Sequence, residues 1–436
     1  MRSAILLFLL LTLNVSSQEI AYYKQKFDKY LNLHHQLDSI VFFYQDKIVI
    51  KNNNKQEELT IYKDEIPTIS KFLESEKLEV IEKFFLEKKN RQLTKREKDS
   101  ILISIDEVYS FNKKNHLPLS GIRIAIDPGH FGYNYSTAKV EQRLLYFPNT
   151  HLNSKNDSAI LYEGQLTYLT SKVLANKLEE QGAEILLTRN DVRHTAFGIS
   201  FEEWMAKRKQ KVLDSLFNKK ELSYDKYVKL KKASPQQFFN LFFREYELLQ
   251  RSKIINNFNP HLTIIIHYNV DEKNSPWKKP TTNNYSMCFI GGAFENNDLD
   301  KLVNKIHFLR LLLTQQIENS EKISSFTIQN FENQLSVNAA KTKDAKYLQT
   351  VCVPTNNEGV YCRNLLLTRH VISPLVYGES MCQDNILEYQ KLTQYDYSYK
   401  NFKIPKRVYE VADAYFKSTM QYFNEIFFPN FTSQKK

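Results

Sequence analysis

Three short apolar strands, each followed at once by a polar side chain, constrain this chain more than any other feature. Ile122–Ile126 runs into Asp127-Pro128-Gly129-His130, and Leu262–Ile266 into His267-Tyr268-Asn269. Leu375–Tyr377 runs into Gly378-Glu379. Between the first two, Glu163 opens a helix through Glu180 with Leu166, Leu169, Val173, Leu174 and Leu178 on one face. Gly182 follows as its C-cap, and a further strand, Ala183–Leu187, ends in Thr188-Arg189. Met287–Ile290 and Asn364–Leu367 read as strands, and Asp298–Gln316 and Val408–Ile426 as helices. Strand–helix–strand alternation predicts an α/β domain with a mainly parallel or mixed sheet flanked by helices. Ligands of such sheets bind outside the carboxyl ends of the strands. His130, His267 and Glu379 are therefore expected on one edge.

The chain reads in three parts. Arg2, the apolar run Ala4–Leu13 and Val15-Ser16-Ser17 form a signal peptide over 1–17. The run is too short for a bilayer core of ~30 Å, which takes about 20 residues. An uncleaved anchor is the alternative. No later segment is long and apolar enough to span, so the mature chain is expected to be exported without a stable membrane span. The periplasm is the first choice of compartment and secretion the second. Residues 18–118 form a small accessory region, α+β or mostly helical. Ser39–Ile50 is a hairpin and Glu58–Tyr62 a strand, while Ile69–Lys89 and Lys95–Phe111 carry helical spacing. Leu117-Pro118-Leu119-Ser120-Gly121 marks the boundary to a catalytic domain over 119–430. All 10 glycines lie from Gly121 to Gly378, where average usage of ~7% would give about 30 in a chain this long. Glycine this scarce is kept for places where the backbone needs it.

The balance of 60 Lys and Arg against 49 Asp and Glu leaves a charge of +11, which favours anionic partners. An export signal and the absence of a recognised binding motif argue against nucleic acid among them. The four cysteines lack CxxC spacing, which argues against a thiolate metal site. They are either free buried thiols or one disulfide.

Two histidines and carboxylates on one edge suit a three-ligand zinc site with an open position and a general base. A strand-end histidine alone is more often a hydrogen-bonded structural residue than a ligand, and it is the combination that points to a metal. At this point the sequence resembles the zinc-dependent N-acetylmuramoyl-L-alanine amidases of the amidase 3 type. The resemblance rests on four ordered blocks over residues 121–390. They are Asp127-Pro128-Gly129-His130-Phe131-Gly132; Glu163 with Gly182 and Thr188-Arg189; Arg251, Ile255-Asn256 and the strand ending His267-Tyr268-Asn269; and Gly359-Val360, Arg369 and Pro374-Leu375-Val376-Tyr377-Gly378-Glu379. It implies one Zn²⁺ per chain on His130, Glu163 and His267, with Glu379 catalytic. The implied substrate is peptidoglycan, cut between N-acetylmuramic acid and L-alanine during wall remodelling or cell separation. Arg251, Asn256, Asn269 and Arg369 match family positions as structural or substrate-contacting residues.

The chain departs from the pattern in places. Phe131 replaces a glycine, and Ile266 replaces a serine. A long spacer separates His130 from Glu163 and contains Glu141, which is the rival third ligand or else a supporting residue. Insertions lie near 133–160, 195–250 and 272–358. The second, rich in Lys and Phe, is either a packed helical layer or a wall-binding surface. Asp298–Gln316 is a candidate for a helix that blocks the site until a protein activator moves it. Two other functions stay open: a non-catalytic or regulated peptidoglycan-binding protein on the same fold, and a zinc amidase of soluble muropeptides.

Overall fold

The computed structural model describes residues 20–52, 54–106, 117–147 and 160–427. The signal segment and the last nine residues lie outside them.

An N-terminal antiparallel sheet joins β1 (Val41–Phe43), β2 (Lys47–Lys51) and β3 (Glu57–Tyr62). The main sheet has seven strands. It begins with β4 (Arg123–Pro128), which follows the boundary, and β7 (Glu184–Leu187); between them in sequence lies a small antiparallel pair, β5 (Leu144–Tyr146) and β6 (Ile160–Tyr162). The sheet continues with β8 (Leu262–Asn269), β9 (Met287–Ile290), β10 (Cys352–Pro354), β11 (Val360–Arg363) and β12 (Leu375–Cys382). The order is β10-β11-β9-β12-β8-β4-β7. Pairings β12–β8, β8–β4 and β4–β7 are parallel, whereas β9 runs antiparallel to β12. The sheet is mixed, as the α/β reading allows.

Alternation along the strands separates two faces. Ile124, Ile126, Ile264, Ile266 and Val376 point into the large core, where helices Glu163–Glu179, Gln316–Asn330 and Lys406–Phe427 cover them. The other face carries Ala125, Phe289, Tyr361 and Tyr377. Helix Arg244–Phe258 covers one side of it through Ile255, and the 340–348 segment the other through Ala340, Ala345 and Leu348. His267 and Glu379 are register partners in β8 and β12.

The basic insertion forms helices Phe201–Lys207, Lys209–Asn218 and Tyr224–Lys232 and then turns into Arg244–Phe258. Its aromatic core centres on Trp204, Phe238 and Phe243. Phe131, the departure from the glycine pattern, stacks on Phe201 at 5.5 Å and meets Phe239 and Phe243 edge-on. The large side chain thus ties the insertion to the loop that carries His130.

Several elements differ from expectation. Asn364–Leu367 is not a strand: β11 ends at Arg363, and Leu366–His370 is a short helix. The Thr368 hydroxyl accepts from the Leu365 N–H and donates to the Arg363 carbonyl, so a polar cap overrides an apolar run. Ile69–Lys89 is two helices, Ile66–Ser75 and Leu78–Lys88. Asp298–Gln316 shortens to Leu302–Leu313, and a second helix, Gln316–Asn330, follows. Residues 305–313 of the first are all buried, and it packs on the N-terminal helices. None of its described contacts reaches His130, Glu163 or His267, so it is a core helix and not a blocking one. The N-terminal elements share one apolar core with the main sheet. Lys26 pairs with Glu318, and the Tyr30 hydroxyl donates to Glu321 across that junction. All four cysteines are free and buried.

Candidate metal centre

β4 ends in a turn that buried polar groups hold from several sides. Arg251 Nη1 donates to Asp127 at 3.1 Å and to the Pro128 carbonyl at 2.6 Å, and Nη2 donates to the His130 carbonyl at 3.4 Å. Glu247 fixes the same guanidinium through Nε at 2.7 Å. Arg189 Nη2 donates to the Gly164 carbonyl at 3.0 Å, and its Nε to Pro128 at 3.4 Å. The Thr188 hydroxyl donates to Asp127. Held this way, His130 takes a left-handed backbone with φ 56°, a conformation that costs energy in a residue with a side chain.

Two glycines are required by close approach. A Cβ on Gly129 would lie 2.3 Å from the His267 ring. A Cβ on Gly164 would lie 2.6 Å from the Gly132 backbone nitrogen. The first lets the two histidines meet, and the second lets the helix start against the loop. Glu163 is the first residue of that helix, where the helix dipole favours a carboxylate.

Glu163 Oε1 is the centre of the cluster. It lies 3.1 Å from His267 Nδ1 and 3.4 Å from His130 Nε2. One ligand atom from each of the three residues falls within 4.8 Å of the others, and among the described residues this is the one such group. The His130 and His267 rings meet edge-on at 4.9 Å. Tyr377 stacks flat on the other face of His267 at 4.5 Å and 4°.

The donor set fits a cation. Glu141 is buried and accepts from the Phe131 N–H at 2.9 Å and from the Gly132 N–H. Its Oε1 lies 3.3 Å from His130 Nδ1. That contact sets the tautomer so that Nε2 turns a lone pair to the cluster, as carboxylate–histidine pairs do around metals. Glu141 is therefore outside the three-residue group and lies behind His130. A positive group already approaches the cluster: Arg143 Nε lies 3.2 Å from His130 Nε2 and 3.6 Å from Glu163 Oε2. We expect Glu141→Ala to weaken metal binding by about 10–100-fold while leaving all three ligands in place. Calorimetric titration of metal-free protein measures it, and an unchanged Kd would sink the role.

Charges at the site follow burial and neighbours. Burial holds the His130 imidazole well below its ordinary range, with Arg143, His267 and Arg251 acting in the same sense against Glu163. Burial also opposes protonation of His267, but its hydrogen bond to Glu163 and the nearby carboxylates outweigh burial and raise it. Burial pushes the Glu379 carboxyl up to about 7, with Glu163 adding to the push and His267, Arg363 and Arg143 opposing it. A dication in the cluster would act downward on the same group.

The remaining candidates divide. Arg251 braces the His130 turn. Asn269 ends β8, and its carbonyl accepts the Gln383 N–H. Asn256 and Arg369 lie at the opposite, amino end of β8 and β12 and do not reach the cluster. Asn256 ties down the loop before β12, donating to the His370 carbonyl and accepting from the Ile372 N–H. Arg369 Nη1 donates to Asn364 at 2.7 Å. Arg189 belongs to a motif block, whereas Tyr377 and Arg143 are site residues for which the sequence reading proposes no role. Alternation along β12 places Tyr377 on the face of Glu379, so the sequence does hold a signal for it. Arg143 carries none, because its position depends on a left-handed turn at Gln142.

The same amino-terminal edge carries three histidines, His307 buried and His261 and His370 half-buried. Burial lowers His261 to about 4 and His370 to about 3, with adjoining arginines in support, and holds His307 well below its usual range. Each stays neutral in the fold but protonates near pH 6.5 when unfolded. Their stabilisation is complete above pH 6.5 and is lost as pH falls through the folded values, at about 1.4 kcal/mol per pH unit for each group. We expect Tm to fall steeply from pH 6.5 to 4.5, and His370→Gln to flatten that slope. A flat wild-type profile would contradict it.

Residues 124–403 match the family described as N-acetylmuramoyl-L-alanine amidase. Among solved structures, the CwlD amidase of Clostridioides difficile, in complex with the GerS lipoprotein, is 16% identical with a TM-score of 0.36. That alignment covers 70% of this chain and 98% of that one. The Ami1 amidase of Mycobacterium smegmatis is 11% identical with a TM-score of 0.37, over 70% and 99% of the two chains. AmiC2 of Nostoc punctiforme is 12% identical with a TM-score of 0.35, over 70% and 97%. No curated protein matches this chain. With the family matched over most of its length and a histidine–glutamate–histidine cluster at the strand ends, the chain belongs to the N-acetylmuramoyl-L-alanine amidases, hydrolases of the bond between N-acetylmuramic acid and L-alanine in peptidoglycan.

Proposed function

We propose that His130, Glu163 and His267 hold one zinc ion and that Glu379 moves the protons of the hydrolysis. The observation that carries this is Glu163 Oε1 within 3.4 Å of a nitrogen of each histidine, with Glu379 paired in register beside His267. Two neutral imidazoles and one carboxylate are the donor set of a catalytic zinc with an open position. Zinc bound there supplies Lewis acidity, polarising a carbonyl and acidifying water. The chain's own residues do the rest. Glu379 accepts a proton from the attacking water at a carboxylate oxygen and delivers it to the leaving L-alanine nitrogen. Glu141 keeps His130 in the required tautomer. Tyr377 covers one face of His267 and keeps water from it.

Around this centre we read residues 1–17 as an export signal, 18–118 as a region bracing the flank of the catalytic domain, and 119–430 as that domain. Among the described residues no helix is long and apolar enough to cross a membrane. The reading places the protein in the periplasm, acting on wall peptidoglycan, with the net charge of +11 favouring an anionic polymer.

The test is release of new L-alanine amino termini from purified peptidoglycan, with and without a zinc chelator. Release that chelation abolishes and zinc restores is the expected result. A zinc-loaded protein that binds sacculi but releases nothing from them or from soluble muropeptides would favour a non-catalytic binding role.

A further inference from the structure

One arginine near the site is held in place, yet among the described residues its side chain makes no hydrogen bond. Most buried arginines here spend their donors. Arg251 meets Asp127 and Glu247, Arg407 meets Glu388 in bidentate form, and Arg310 meets Gln316 and two backbone carbonyls. Arg363, at the end of β11, differs. Its guanidinium sits 4.9 Å over the Phe289 ring and 4.7 Å over the Tyr347 ring. Among the described residues its side chain has no hydrogen-bond or ion-pair partner. Its N–H donors, on a half-buried side chain, are oriented by two aromatic faces and left unspent.

A chain of ring contacts links this cation to the metal centre, and its charge acts on the Glu379 carboxyl. His267 stacks on Tyr377, Tyr377 meets Phe289 at 5.9 Å, and Phe289 lies under Arg363. All of it lies on the sheet face that carries His267 and Glu379. The path is roughly 15 Å at most, the reach of about four extended residues at 3.3–3.6 Å each. The two sides of the scissile bond differ in charge. The lactyl carboxyl is consumed in the amide, so free carboxylates are found on the peptide side. A preorganised guanidinium prefers a carboxylate, which it can meet with two parallel hydrogen bonds.

We propose that Arg363 is a specificity residue that receives a carboxylate of the substrate's stem peptide, within about four residues of the scissile amide. The inference rests on the peptidoglycan amidase reading. Arg363 holds the peptide by that carboxylate, and the scissile carbonyl then falls at the cluster.

The test uses two probes, a muramoyl tetrapeptide with free carboxyls and the same compound with its carboxyls converted to carboxamides. Binding is measured on the full chain carrying Glu379→Gln, which removes turnover, and initial rates on the zinc-loaded wild type. We expect the acid to bind about tenfold tighter than the amide. Arg363→Met should bring that ratio close to one by weakening the acid alone, through KM and not kcat. Arg363→Lys should keep part of the preference, which a purely structural role would not predict. No preference in the otherwise wild-type binding site overturns the proposal. Equal weakening of both probes by Arg363→Met, with a lowered Tm, overturns it too and makes Arg363 a packing residue. Selective binding without any hydrolysis would leave the receptor standing and remove the amidase reading.

Discussion

Glu379→Gln is expected to lower kcat for peptidoglycan hydrolysis by roughly 10²–10⁴-fold, the usual contribution of a positioned general acid–base. Gln matches the shape of Glu but accepts no proton. Metal content should stay at the wild-type level, because Glu379 is outside the three-residue cluster. KM should change little if the residue acts on protons and not on binding. Burial pushes the Glu379 carboxyl up to about 7, which suits a group that must take a proton and return it near neutral pH. The check is single-turnover release of L-alanine termini, paired with zinc quantification. Retained kcat, or lost zinc, would contradict the assignment.

Gly129→Ala is expected to disable the centre through geometry alone. The new Cβ would stand 2.3 Å from His267 Cε1 and Nε2, where no atom fits. The ring cannot retreat freely, because Tyr377 stacks on it at 4.5 Å. The conflict therefore displaces His267 or the turn that carries His130. Overpacking of this kind costs typically 1–3 kcal/mol of stability. A misplacement of about 1 Å at a catalytic centre costs on the order of 10²-fold in rate. The expected outcome is a folded protein with a lower Tm, zinc affinity reduced at least tenfold and activity close to background. Calorimetry with zinc and a thermal melt measure both halves. Normal zinc binding in Gly129→Ala would mean the two histidines do not share one ion.

Much of the centre is legible in the order of residues along the chain. His130 and His267 each follow a short apolar strand, and strand ends of parallel neighbours meet on one edge. Glu163 stands out over Glu141 because its helix, Gly182 and Thr188-Arg189 follow in order. Spacing cannot say what Glu141 does, since both carboxylates are within reach of His130 and differ in which ring nitrogen they face. The segments that depart from expectation do so where a local pattern meets a tertiary constraint. Leu365-Leu366-Leu367 is apolar enough for a strand, but the Thr368 hydroxyl closes a helical turn there. Asn256 and Arg369 stand in register with the family's blocks, yet the helix that carries Asn256 runs back towards the amino end of the sheet. A position along a motif carries no information about which edge of the sheet it reaches.

Strand-terminal polar residues, an amphipathic helix opening on a glutamate, and scarce glycines are local facts, and periodicity and backbone sterics suffice to read them. They place the α/β domain, the three candidate ligands and Glu379. Contacts between distant segments are another matter, because they depend on which elements pack side by side. Such packing puts Tyr377 flat against His267, Glu141 behind His130 and Phe131 in the aromatic core of the insertion. It brings Arg143 to the cluster across a left-handed turn, and it lays Arg363 over two rings that come from separate parts of the chain. Each of these pairings joins residues whose separation in sequence says nothing about their distance in space.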